Sequence, residues 1–98
     1  MIKISDFLSK GAENAIKASD LCEILHIERR ELAACISRER RHGAPICASC
    51  GEPSGYYLAA TKKEMFDFCE SLHRRAGEIY KTRAACLKTA EQLPDKGA

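Results

Sequence analysis

The side chains of this 98-residue chain best suited to chemistry are the five arginines between Arg29 and Arg41, with Ala33, Ala34 and Ser37 set among them. A guanidinium is a planar, permanently charged fork that bonds phosphate oxygens and guanine edges in pairs. The spacing predicts a helix over residues 28–42. At 100° per residue Arg30, Ala34, Ser37, Arg38 and Arg41 share one side of it, with Arg29, Ala33 and Arg40 on the flank. Leu32, Cys35 and Ile36 form a narrow apolar stripe opposite. Two small residues among arginines let a helix lie close to something flat and anionic, and the DNA major groove admits an α-helix. On this segment alone a solvated surface helix is the more economical explanation. The neighbouring elements decide between the two.

A second constellation is Cys47-Ala48-Ser49-Cys50-Gly51. A C-x-x-C-G at a hairpin turn can present two thiolates to zinc, but a structural zinc wants four ligands and the chain has no second C-x-x-C. Cys47 and Cys50 therefore read as an unligated hairpin, with a metal site shared between two copies or a redox dithiol as the minor alternatives. No cofactor is expected. Cys22, Cys35, Cys69 and Cys86 sit where a small apolar side chain would serve. Catalysis has no support: there is no Gly-rich phosphate loop, no nucleophile with an evident base and no carboxylate pair in an apolar setting. The chain reads as a non-enzyme without an evident small-molecule ligand.

The elements that must position the arginines come before and after them. Ile4, Phe7 and Leu8 are at helical spacing, which predicts a short first helix closed by Gly11. Ile16 between polar neighbours suits a brief extended segment. Ser19 is a good N-cap, with Asp20 in the first turn, for a helix ending at Leu25 that buries Leu21. His26-Ile27 interrupts, and the arginine helix follows, stopped by Gly43 and Pro45. Helix, tight turn and longer helix are the proportions of a helix-turn-helix, with His26 where a turn glycine is usual. ICAS and YYLAA then flank a loop rich in Gly, Pro and Ser, which makes a β-hairpin. Ile46, Leu58 and one tyrosine should face the core.

From Thr61 the chain turns helical, opened by the capping box Thr61-Lys62-Lys63-Glu64. Met65, Phe68, Cys69, Leu72, Ala76, Ile79, Cys86, Leu87 and Ala90 form one stripe, with Glu70 and Arg74 a favourable i, i+4 pair opposite. Thirty-odd helical residues span about 45 Å, whereas a domain of this size has a radius of gyration of about 13 Å. The last third must overhang and meet a second copy, or break at Gly77 and fold back.

Charge supports the same division. Net charge is only +2, but residues 27–43 carry five arginines against three acids, and residues 44–60 carry a single glutamate. No apolar run approaches the roughly 20 residues that span a bilayer, and the N-terminus lacks a secretory core, so a cytoplasmic location is expected.

The ordered set G-A-E-N-A-I, a short helix ending L-H-I, R-R-E-L-x-x-x-I-x-x-x-R-x-x-G, P-I-C-A-S, G-Y-Y-L and T-K-x-E-M resembles small winged helix-turn-helix proteins of prophages and mobile elements in Gram-positive bacteria. The resemblance covers about residues 11–75. It implies duplex-DNA binding through Arg29, Arg30, Ala33, Ala34, Ser37, Arg38 and Arg41, with the loop from Cys50 to Gly55 as the wing tip. Arg40 joins the set as a phosphate contact from the flank of the helix. The chain departs from that pattern at Glu39, expected at the core margin beside a cation, and at Glu52, an acid on the wing tip. The expected architecture is mostly α with a small hairpin: a winged helix-turn-helix over 1–60 (recognition helix 28–42, wing 45–59), a C-terminal helix over 61–93 for packing and homodimerisation, and a tail over 94–98. The expected role is regulation of transcription, or replication or maintenance of a mobile element. The alternative is a winged-helix protein-interaction module that does not bind DNA.

Overall fold

A computed structural model describes residues 2–95, so the end of the expected tail, 96–98, lies outside the described residues. The protein is mostly helical. A 3₁₀ turn at Ile4–Phe7 and another at Ala12–Asn14 precede α1 (Ala18–Leu25) and α2 (Arg29–Arg41). Strands β1 (Ile46–Ser49) and β2 (Gly55–Leu58) form an antiparallel hairpin, and the long α3 (Lys62–Ala90) follows. The chain divides into two compact units, Met1–Phe68 and Cys69–Ala98, and the division falls inside α3.

Ile4, Leu8, Leu21, Leu32, Ile36 and Ile46 close the main core of the first unit. Each such fully buried Leu or Ile contributes about 1.5–3 kcal/mol. The expected first helix is a 3₁₀ turn, and it buries Leu8 rather than Phe7. The chain turns extended at Leu8, which swings that side chain inward and leaves Phe7 exposed. Helix α1 starts one residue before Ser19, behind an extended Lys17 with no side-chain cap, so Ser19 is not the N-cap. His26 ends α1 in the left-handed region (φ 55°). That conformation costs a side-chain-bearing residue about 1 kcal/mol. It is held by the Ile27 N–H donating to the Cys22 carbonyl, while Ile27 packs on the core. Gly43 (φ 98°) closes α2 as a Schellman motif. Its N–H donates to the Arg40 carbonyl and the Ala44 N–H to the Glu39 carbonyl, at 3.1 and 3.0 Å.

Glu39 is the buried acid of this core. Lys3 is the nearby cation, and its charge favours the carboxylate. The closer partners are backbone: the carboxylate accepts the N–H groups of Ile4 (2.6 Å) and Ser5 (3.0 Å), capping the first 3₁₀ turn from 35 residues away. Backbone donors satisfy a carboxylate as a salt bridge would.

The hairpin is buried on both faces. Ile46, Tyr56 and Leu58 pack on the main core, while Cys47 and Tyr57 form a second cluster with Phe68, flanked by Met65. Beyond β1, the other edge of β2 is paired as well. Tyr56 and Ile16 exchange N–H···O bonds of 2.8 and 2.9 Å, Leu58 donates to the Ser9 carbonyl, and Gly11 donates to that of Leu58. The extended segment expected at Ile16 is this contact. Gly55 (φ 126°) permits it, because an added Cβ would run into the Ile16 carbonyl.

Helix α3 is half-capped as expected: Glu64 N–H donates to Thr61 Oγ1 at 3.2 Å. The Glu64 carboxylate reaches past the N-cap, accepting the N–H groups of Ala60 (2.7 Å) and Ala12 (3.1 Å), and so pins the second 3₁₀ turn. α3 runs unbroken through Gly77. Of its expected apolar stripe, Phe68 alone is buried; in the second unit Leu72, Ile79 and Leu87 are exposed. The close ion pairs along α3 are Lys63–Asp67 and Glu78–Lys81, not Glu70–Arg74. No helix among the described residues is long and apolar enough to cross a membrane.

Two stability predictions come from these contacts. Glu39→Gln turns an amide nitrogen toward a backbone N–H and should cost about 1–3 kcal/mol in urea unfolding. Burial alone would raise the Glu39 pKa, but the Ser5 and Ile4 N–H donors, with the nearby Lys3 charge, outweigh it and hold the carboxyl below its ordinary value of 4.5. The carboxylate's stabilisation is therefore fully present above pH 4.5 and is lost as pH falls through the lowered folded value. The gap between native chain and variant should shrink on acidification; a gap independent of pH refutes the assignment. Gly55→Ala should cost about 1–3 kcal/mol. Gly51→Ala, with only Ser49 Oγ at 3.7 Å from its added Cβ, should stay within about 0.5 kcal/mol.

Candidate nucleic-acid interface

Leu32 and Ile36 are anchored in the main core, and Glu39 completes the inward line one turn later. That line sets the rotation of α2, so Arg29, Arg30, Ala33, Ala34, Arg38 and Arg41 are exposed and Ser37 is half-buried. Cys35 is half-buried beside the core, where Arg38 Nη2 makes a weak 3.4 Å contact with its sulfur. Arg38, Arg40 and Arg41 occupy the last turn, where the helix dipole favours cations. The face is thus cationic at both ends, with Arg29 and Arg30 opening it.

Arg40 departs from this set. Its Nε donates to the Ile46 carbonyl at 2.9 Å, and its guanidinium lies 4.7 Å from the centroid of the Phe68 ring. It bonds the start of β1 and stacks on the second cluster. A guanidinium held this way works as an internal tie, and Arg40 is removed from the phosphate-contacting group. His42, exposed at the end of α2, places Nδ1 2.8 Å from the Arg38 carbonyl. A carbonyl only accepts, so Nδ1 carries the proton.

A cleft of about 380 Å³ adjoins the N-terminal end of this face. Lys17, just ahead of α1, and Ser19 in its first turn line it, with Arg29 from α2 and Ser49 and Ser54 from the hairpin. Four of these five side chains were not among the residues expected from sequence. They meet only because the Ile16–Tyr56 pairing brings the α1 start to the hairpin, a long-range contact with no local signature. The lysine and the serines ahead of an apolar run were the available hints.

The hairpin tip is exposed and has Glu52 as its charged residue. Cys47 and Cys50 do not act together: Cys47 is fully buried, with its sulfur 3.9 Å from Met65 Sδ, whereas Cys50 is exposed in the loop. Alternation along the strand turns Cys47 into the second cluster. Among the described residues no group of three or more His, Cys, Asp or Glu side chains is placed to hold a metal ion.

Comparison with protein families, with curated proteins and with solved structures gives no match to this chain.

Proposed function

We propose that the chain is a winged helix-turn-helix protein that binds duplex DNA through the exposed face of α2. The observation that carries this reading is the clean separation on one helix. Leu32, Ile36 and Glu39 face inward, while Arg29, Arg30, Arg38 and Arg41 are exposed around Ala33 and Ala34. Alanines in the middle of a cationic face keep it low enough to enter a groove, which a helix of lysines and glutamates would not. Arg29, Arg38 and Arg41 contact phosphates. Arg30, near the helix N-terminus with Ser37 in reach, reads base edges. Lys17 and Ser19 extend the phosphate-contacting surface across the cleft, and the hairpin tip with Glu52 stays off the backbone. A second copy of the chain associates through α3, and the assembly acts in regulation or maintenance of a mobile element.

Titration of random duplex DNA against salt tests the reading. Four cationic phosphate contacts in one copy, from Arg29, Arg38, Arg41 and Lys17, give a log–log slope of about −3.6, which is a loss of about 150-fold between about 50 and 200 mM salt. Arg30→Ala with Arg38→Ala should weaken binding and flatten the slope by about 1, whereas Arg40→Ala should lower stability and leave the slope unchanged. Absence of binding at about 50 mM salt overturns the DNA reading in favour of a protein-interaction module.

A further inference from the structure

We propose that α3 beyond Phe68 pairs with the same segment of a second copy in an antiparallel coiled coil. The inference refines the self-association proposed above and makes no use of the arginine face of α2. Because α3 is one unbroken helix, its register can be read continuously. Cys69, Leu72, Ala76, Ile79, Arg83, Cys86 and Ala90 are separated alternately by three and four residues, the a/d spacing of a heptad repeat. Cys69, Ala76, Arg83 and Ala90 take the a positions, and Leu72, Ile79 and Cys86 the d positions. None of them is buried within the chain; Ile79 is 62% exposed, and Tyr80 and Leu87, at the adjoining e positions, are 70% and 51% exposed.

Three features of this pattern select the antiparallel orientation. In a parallel pair each a residue meets its own copy, so Arg83 would face Arg83 across the seam. Antiparallel pairing places each a residue against a d residue, so Arg83 meets an aliphatic side chain along which its stem can lie. The a positions are otherwise small and the d positions include Leu72 and Ile79. Parallel layers would therefore be alternately thin and thick, whereas antiparallel layers join small to large, as Ala90 to Leu72. Finally, the e positions His73, Tyr80 and Leu87 are largely apolar and the g positions Arg75, Thr82 and Thr89 are polar. Parallel helices match e with g; antiparallel helices match e with e and g with g, keeping apolar with apolar. Two registers satisfy these conditions, one centred on Lys81 and one between Gly77 and Glu78. The second also sets Cys69 opposite Cys86.

Sedimentation of the full chain under reducing conditions, together with site-specific photo-cross-linking, tests the proposal. The chain should be dimeric at about 100 µM, and Ile79→Asp should weaken dimerisation by about 100-fold or more. With Thr89 replaced by the photo-cross-linker p-benzoylphenylalanine, mixed isotope-labelled and unlabelled copies should join residue 89 of one to the tryptic peptide 64–74 of the other. A monomer at that concentration, or a dimer indifferent to Ile79→Asp, overturns the pairing. An Ile79-dependent dimer that links residue 89 to the region around its own copy, with no product at 64–74, overturns the orientation while the pairing stands. Neither result bears on DNA binding by α2.

Discussion

The rotation of α2 about its own axis is the constraint on which the first unit depends, and it is set by three side chains on one line. Leu32 and Ile36 are ordinary core residues. Glu39, one turn further, extends the line with a charge. Two backbone donors near the start of the chain, one buried and one half-buried, make that charge tolerable, since Ile4 and Ser5 both donate to it. A buried carboxylate without such donors would cost several kcal/mol. With them, the contact works in both directions: it caps a 3₁₀ turn that has no local cap, and it holds the last turn of α2 inward. Rotation of α2 by one residue would expose Glu39 and orphan two N–H groups. It would also turn the arginine face toward the core.

The second constraint is the double pairing of β2. An isolated two-stranded hairpin is marginal in water. Here β2 is bonded on one edge to β1 and on the other to the chain around Ser9, Gly11 and Ile16. Its two faces are covered by separate clusters. The hairpin therefore belongs to the core along its strands, and only residues 50–54 are left as a projecting loop. This explains why ICAS and YYLAA are apolar almost throughout rather than alternating: period-two alternation marks a strand wet on one side, and these strands are covered on both. Arg40 joins the hairpin to α2 through the Ile46 carbonyl and the Phe68 ring. One arginine of the five thus became structural while its neighbours remained exposed.

What was legible in the sequence followed from periodicity and punctuation. The α2 stripe of Leu32 and Ile36, the Gly43 stop, the hairpin and the Thr61 start each rest on a local rule, and each is present. Contacts between distant segments were not legible. Glu39 looked like a misplaced acid because its partners, Ile4 and Ser5, carry no recognisable motif: any residue has a backbone N–H. Arg40 looked equivalent to Arg29 on a helical wheel, since both lie on the flank. The difference between them is a carbonyl at Ile46 and a ring at Phe68, which only the fold brings near. Glu64 is an intermediate case. Its capping role was visible, but its second bond, to Ala12, was not. For the candidate interface the same division holds: the α2 arginines could be read from their own helix, whereas Lys17, Ser49 and Ser54 reach the cleft through the Ile16–Tyr56 pairing.

The chain exposes two surfaces of opposite chemistry, a cationic face on α2 and an apolar stripe on α3; the first would carry the proposed DNA contact, and pairing through the second would strengthen it. Four cationic phosphate contacts and one base-reading arginine would place a single copy among weak, salt-sensitive binders. Joining two copies makes the second engagement intramolecular, and effective concentration can multiply affinity by 10²–10⁴ with no further contact to DNA. The modest net charge of +2 is consistent with that division of labour. Bulk attraction to polyanions is weak, so affinity would come from a small number of placed guanidinium groups and from pairing. A seam that sets Leu72 and Ile79 against small residues, cysteines and one arginine would also be a weak one by coiled-coil standards, because its a positions bury little area. Pairing would then depend on chain concentration, and occupancy of DNA would rise more steeply than the amount of protein.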